Sequence, residues 1–395
     1  MLKNLAYILY FIVGAYIVFN RGVAGLSIGP LYLGEIGLII GLPFLLKALF
    51  NTRKRIFWIN ILILTYFFWG LVHLNFRRID IYSLQQFSLI YYTLFIPIGY
   101  EMGKRYNDIF ERVFPIFLKI HVIFALLRPI VISSLIDTIK IGDTSLFGIY
   151  GTYVLFTVPA VFYFIFFKKN IFWALLSLIA VISLASRNGF LALIICSLIL
   201  IIVARFKESS RYLKICLITV SIFALFGTAL NNITGLQIRG DLSLTNIMNI
   251  AESIVVESDD SSLEGSRSHR IYMWEKIINN RIDNGLTFGE GFGTNMTDAV
   301  FIHPHNSLVS IFGRTGLIGL LLWLLFYFKI LFHNIRTHKN SLYKNRAIWY
   351  ILFTISSLVT ACFSVVLESP MLAIPIYLIY GISLSQNPVI RQHRN

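Results

Sequence analysis

Apolar runs of bilayer length dominate this chain, and that feature excludes most folds. YILYFIVGAYIVF occupies 7–19, LIICSLILIIV occupies 193–203, and GLIGLLLWLLFYF starts at 316. A helix needs roughly 20 mainly apolar residues to cross the hydrocarbon, where its backbone must satisfy its own hydrogen bonds. Composition agrees, with 57% hydrophobic residues, 13% charged residues and a mean hydropathy of +0.74. The expected class is an all-α, polytopic integral membrane protein.

About twelve spans follow on this criterion. They cover approximately 5–19, 31–50, 56–74, 82–102, 112–136, 146–167, 171–186, 188–204, 213–230, 313–333, 347–367 and 370–385. The seventh and eighth meet almost without a loop at Ser186-Arg187-Asn188. The apolar stretch after Lys3 lacks a small-residue cleavage site and reads as a retained first helix. Cys196, Cys216 and Cys362 fall inside apolar segments without metal-ligand spacing, so they read as packing residues.

A formal charge of +15 invites a nucleic-acid reading, but its distribution argues otherwise. Basic clusters at 53–55, 104–105, 168–169, 205–214 and 329–346 follow alternate spans. This is the positive-inside pattern, so the bilayer, and no nucleic acid, accounts for the charge. It expects both termini in the cytoplasm and the even-numbered exits inside.

Three parts result: spans one to nine at 1–230, a large external loop at 231–305, and spans ten to twelve at 306–395. The loop is acidic on an otherwise basic chain, so its few arginines are not topological ballast. Apolar residues from Leu244 to Val255 recur at helical spacing and suggest a helix along the membrane surface. ESDDSSLEG at 257–265 reads as an exposed linker, with a second helix capped by Ser266. On that helix Arg270 and Trp274 are four apart and share a side.

Ionisable residues at a membrane are costly and therefore candidates for function. Arg187 sits where two spans meet; it either snorkels to the interface or holds a phosphate in its planar fork. Arg270, with Arg267 beside it, is either a solvated helix residue or an anion ligand near a helix start. His305, in FIHPHNSL at 301–308, is either structural or a base that takes a proton from a hydroxyl, oriented by Asn306. His303 and His269 are weaker candidates. Arg314 faces either a polar cavity or substrate, and Gly316 and Gly319 suggest close helix packing. Arg128, before Pro129, has the same ambiguity. Glu35 and Glu368 are acids in span ends that suit pairing with an arginine. Gly289, Gly291 and Gly293 follow no expected strand, which argues against a dinucleotide site. The histidine spacing matches no strong metal pattern, so the expected metal is none.

In combination, SRNG at 186–189, GSRSHRIYMWE at 265–275, FGEGFG at 288–293 and HPHNSLVSIFGRTGLIG at 303–319 resemble the bacterial O-antigen ligase and O-antigen polymerase family. The family's arginine four before an aromatic matches Arg270 and Trp274, its histidine-asparagine pair His305 and Asn306, and its G-x-x-G Gly316 and Gly319. Arg314 departs from the pattern, since many relatives carry an acid there.

The resemblance implies a GT-C-like membrane glycosyltransferase of the bacterial inner membrane, acting at the external face without a cofactor. It implies a glycan donor on undecaprenyl diphosphate and a glycan acceptor, either lipid-linked or lipid A-core. A flippase and a chain-length regulator are the further partners it implies. His305, Arg270 and Arg187 become the expected catalytic residues, with Arg267, Arg314, Asn306, His303 and Arg128 binding substrate. A lipid-linked glycan flippase or a secondary transporter is the alternative of another class. Against it, the chain shows no two-fold repeat and its polar candidates gather at one face.

Overall fold

A computed structural model describes residues 1–28, 31–50, 54–74, 80–131, 140–141, 144–145, 154–184, 186–203, 210, 214, 261–294, 296, 304–340, 344–364 and 366–386. The ninth expected span and the surface helix expected at 244–255 lie outside the described residues.

The elements are α1 (Leu2–Phe19), α2 (Arg21–Ala24), the hairpin β1 (Ser27–Ile28) and β2 (Leu31–Tyr32), α3 (Leu33–Leu49), α4 (Lys54–Val72), α5 (Ile81–Tyr91) and α6 (Phe95–Val131). A second short hairpin, β3 (Lys140–Ile141) and β4 (Thr144–Ser145), precedes α7 (Val154–Phe162), α8 (Ile171–Ser183) and α9 (Arg187–Val203). Then come α10 (Ser261–Asn284), α11 (Ser307–Asn340), α12 (Lys344–Phe363) and α13 (Pro370–Ser385). The fold is predominantly α-helical, as expected. By length and composition, Leu2–Phe19, Ser307–Lys339 and Lys344–Phe363 are long and apolar enough to cross a membrane.

Two local details differ from expectation. The fourth span is divided by a short 3-10 turn at Tyr92–Leu94, which leads into α6. α6 itself is two helical stretches joined at a kink at Tyr106, whose φ is −134° and ψ 31°, just after Lys104-Arg105. Glu101, buried in this helix, pairs with Arg105 at 2.9 Å and Lys104 at 3.5 Å, so both cations sit on helical turns. Likewise α10 starts at Ser261 rather than after Ser266, so the second half of the expected linker is helical.

The helices pack where small residues let backbones approach. A Cβ on Gly99 of α6 would meet Leu378 O of α13 at 2.2 Å, and one on Gly381 would meet Ile96 O at 2.0 Å. This is the small-residue contact expected where lipid removes the hydrophobic drive between helices. Some polar groups inside the bundle pair with one another: Trp323 Nε1 donates to Tyr377 Oη at 3.1 Å, and Tyr327 Oη to Thr354 O at 3.1 Å.

The ends of the helices segregate chemically. At one end Arg346 grips Glu111 with both η-nitrogens, at 2.5 and 3.1 Å, while Lys168 donates to Glu111 O. His338 near the end of α11 lies beside Val203 O at the end of α9. At the opposite end lie the starts of α5, α9, α11 and α13 and the ends of α4 and α12. Those are the ends that alternation of the basic clusters assigns to the external side.

Candidate functional site

The site is built on the turn that enters α11. His305 has a φ of 52°, a left-handed conformation that a residue with a side chain seldom adopts, and it is half-buried. Asn306 follows as the helix cap, its Oδ1 accepting from Leu308 N at 3.0 Å and Val309 N at 3.1 Å. That side-chain oxygen is therefore committed to the orphan amides of the first turn. Next, Ser307 Oγ donates to Ser364 O at 2.9 Å and accepts from Leu367 N at 3.2 Å. The turn is thus fastened to the connection between α12 and α13.

α10 is held against the same turn. Trp274 Nε1 donates to Pro304 O at 2.6 Å. Met273 and Ile277 are buried on the adjoining face, and a Cβ on Gly313 of α11 would meet Met296 Sδ at 2.5 Å and Ile277 Cγ2 at 2.9 Å. Arg270 lies one turn before Trp274 and half-buried, so the indole contact carries it to the His305 turn. α9 arrives from a third direction. Arg187 is its first residue, and the neighbouring Asn188 Nδ2 reaches Phe363 O at 3.5 Å, one residue before the Ser364 carbonyl that holds Ser307.

The segments bearing Arg187, Arg270 and His305 therefore meet at one end of the bundle. Arg128 belongs to α6, and Arg267 to α10. The side chains of Arg128, Arg187, Arg267 and His269, and the whole of His303, lie outside the described residues.

A glycine-rich loop at 285–294 locks this arrangement. α11 is interrupted at Gly316, where φ is 69° and ψ −170°. The interruption frees backbone groups that the loop then takes up: Glu290 N donates to Gly313 O at 2.8 Å, Gly291 N to Arg314 O at 3.0 Å, and Leu317 N to Leu286 O at 2.8 Å. A Cβ on Gly289 would lie 2.0 Å from the Arg314 backbone, and one on Gly316 2.2 Å from Thr287 O. Only glycine fits where two backbones run this close. Gly316 thus breaks the helix, rather than packing two helices together as its spacing with Gly319 suggests.

The rest of the clamp comes from α4, α5 and α10. His73 Nδ1 faces Trp69 O at 2.9 Å and Nε2 accepts from Gly289 N at 3.3 Å, which assigns the proton to Nδ1. Trp69 stacks on Phe288 and donates to Thr315 O at 2.8 Å, another carbonyl at the helix break. Arg281 Nη2 pairs with Glu290 at 2.9 Å, joined by Asn280. None of Trp69, His73, Gln86 and Arg281 stands out in the sequence, because their roles depend on backbone groups distant in the chain.

Of the two acids expected to suit an arginine, Glu35 departs from expectation and Glu368 does not. Glu35 accepts from Tyr91 Oη at 2.5 Å and Tyr92 Oη at 3.1 Å, so tyrosines rather than an arginine hold it. Glu368 is buried and lies near enough to Arg314 to act on its charge. Arg314 itself is 0% exposed, with Nη1 donating to Gln86 Oε1 at 2.5 Å and to Gly291 O at 3.4 Å. Its buried guanidinium is turned to the protein's own glycine-rich loop.

This constellation of a histidine turn, an arginine helix and an arginine-led helix lies within residues 171–324, which match the family model Wzy_C, O-antigen ligase. Over this stretch the chain is similar to the O-antigen ligase family. Among curated proteins none matches the chain. The match runs from the start of α8 into α11, so it includes Arg187, Arg270, His305 and Arg314 but not the α4 and α5 residues that brace the loop. This similarity supports a membrane location and, broadly, an O-antigen ligase or polymerase type of glycosyltransferase.

Proposed function

We propose that the protein is a glycosyltransferase that uses a glycan carried on undecaprenyl diphosphate, and that it polymerises polysaccharide repeat units at the external membrane face. The observation that carries this reading is the convergence of the Arg187, Arg270 and His305 segments at one end of the bundle, within the stretch similar to the O-antigen ligase family.

An acceptor-sugar hydroxyl attacks the anomeric carbon of the donor, and the bond from that carbon to the diphosphate oxygen breaks. His305 takes the hydroxyl proton, undecaprenyl diphosphate leaves, and the anomeric configuration inverts. Negative charge grows on the departing diphosphate. Arginines fixed beside it stabilise that charge without reorganising, and their forked donors suit phosphate oxygens. Arg187 and Arg270 fill this role, so the proposed transfer is metal-independent.

The second reading is transfer to lipid A-core, favoured by the ligase description of the matched domain. Purified protein, given defined lipid-linked repeat units with and without lipid A-core acceptor, separates the two. A ladder of lengths on undecaprenyl diphosphate, unchanged by chelator, is the expected result. Transfer confined to lipid A-core would replace polymerase by ligase, and no transfer to either acceptor would overturn both.

A further inference from the structure

Arg314 is a full charge with no exposed surface, and among the described residues its Nε and Nη2 have no hydrogen-bond partner. Burying a guanidinium incompletely satisfied is expensive, so a position that does so must return something other than stability. What its Nη1 holds is specific. Gln86 Oε1 accepts from both Arg314 and Gly293 N, the latter at 2.8 Å, and Gly291 O accepts from Arg314. The backbone of the same arginine accepts from Gly291 N at 3.0 Å. One residue thus binds the glycine-rich loop through main chain and side chain at once, at the point where α11 breaks.

The loop passes this constraint on. Glu290 ties it to Arg281 and Asn280 of α10, and α10 carries Trp274 to Pro304 beside His305. We infer that Arg314 is a positioning residue, which with Gln86 locks the glycine-rich loop into the helix break and so sets the register of the Arg270 helix against the His305 turn. This inference rests on the proposed transfer reaction for its catalytic consequence but not for its structural one.

Gln86 supplies the discriminating variants. Its Nε2 has no partner among the described residues, so Gln86→Glu keeps both acceptor contacts and turns the one to Arg314 into an ion pair. Gln86→Leu keeps the volume and loses the acceptor. The test is hydrogen exchange on the full-length protein in nanodiscs, alongside turnover of a lipid-linked repeat unit. In Arg314→Gln and Gln86→Leu, the amides of Glu290, Gly291 and Gly293 and those of α10 should exchange faster by roughly tenfold, as loss of a charge-assisted bond allows. Those of α13 should be unchanged, turnover should fall in parallel, and Gln86→Glu should match wild type on both readouts.

Unchanged exchange in Gln86→Leu, or equal damage from Gln86→Glu and Gln86→Leu, would overturn the inference. Should Arg314→Gln fail to fold, the two Gln86 variants decide alone. A wild-type protein that turns over no lipid-linked glycan would overturn the transfer reading, and exchange would still decide the lock.

Discussion

Trp274 donates its indole N–H to the Pro304 carbonyl at 2.6 Å, one residue before His305. Through this bond α10 registers against the start of α11. Trp274→Phe keeps the ring packing and deletes the donor, which costs on the order of 1 kcal/mol for one hydrogen bond. The expected outcome is a several-fold fall in glycan transfer with unchanged membrane insertion. Wild-type turnover in this variant would show that the bond does not register the site.

His305 combines a chemical and a conformational demand. Its φ of 52° suits asparagine better than alanine. His305→Asn therefore preserves the turn while removing the base, and His305→Ala removes both. Both variants should lose transfer, typically by 100-fold or more for a general base, roughly on the scale seen for such groups. An active His305→Asn protein would exclude the base assignment.

Lysine keeps the charge of arginine but not its fork. Arg187→Lys and Arg270→Lys should each weaken donor use, seen as a rise in donor KM or a fall in kcat. Wild-type kinetics in both would remove the diphosphate clamp from the mechanism.

Gly289 lies against the Arg314 backbone, where an added Cβ has 2.0 Å of room. Gly289→Ala forces the loop out of the helix break and should destabilise the protein by about 1–3 kcal/mol, the usual cost of overpacking. Thermal unfolding in detergent measures this. Gly285→Ala is the contrast for space, since nothing lies near its Cβ, although its φ of 107° still penalises alanine.

Asp80 caps α5, and the Ser83 backbone amide and hydroxyl hold its carboxyl below the usual aspartate range. A lowered folded-state pKa gives stability that is present above the unfolded value and lost as pH falls through the folded one. Wild type should therefore lose stability on acidification in a window that Asp80→Ala lacks. Identical acid profiles for the two proteins would show that the cap contributes nothing measurable.

Much of this molecule is legible in its sequence. Apolar runs place the helices, because a bilayer demands internally bonded segments of set length. The Arg346–Glu111 and Ser307–Ser364 contacts lie at opposite ends of the bundle. Arg187, Arg270 and His305 stand out because charge and imidazole are rare beside such runs. What only the tertiary structure decided is how those residues are held. In the sequence FGEGFG is a glycine-rich motif that follows no expected strand, and Gly316 reads as a helix-packing residue. Together they form one backbone interlock, braced by His73 and Gln86 from more than 200 positions away. Arg314 passes from ligand candidate to loop anchor for the same reason. Periodicity and composition report which residues face lipid, but the partner of a freed carbonyl or a buried guanidinium is set by segments that meet only when the chain folds.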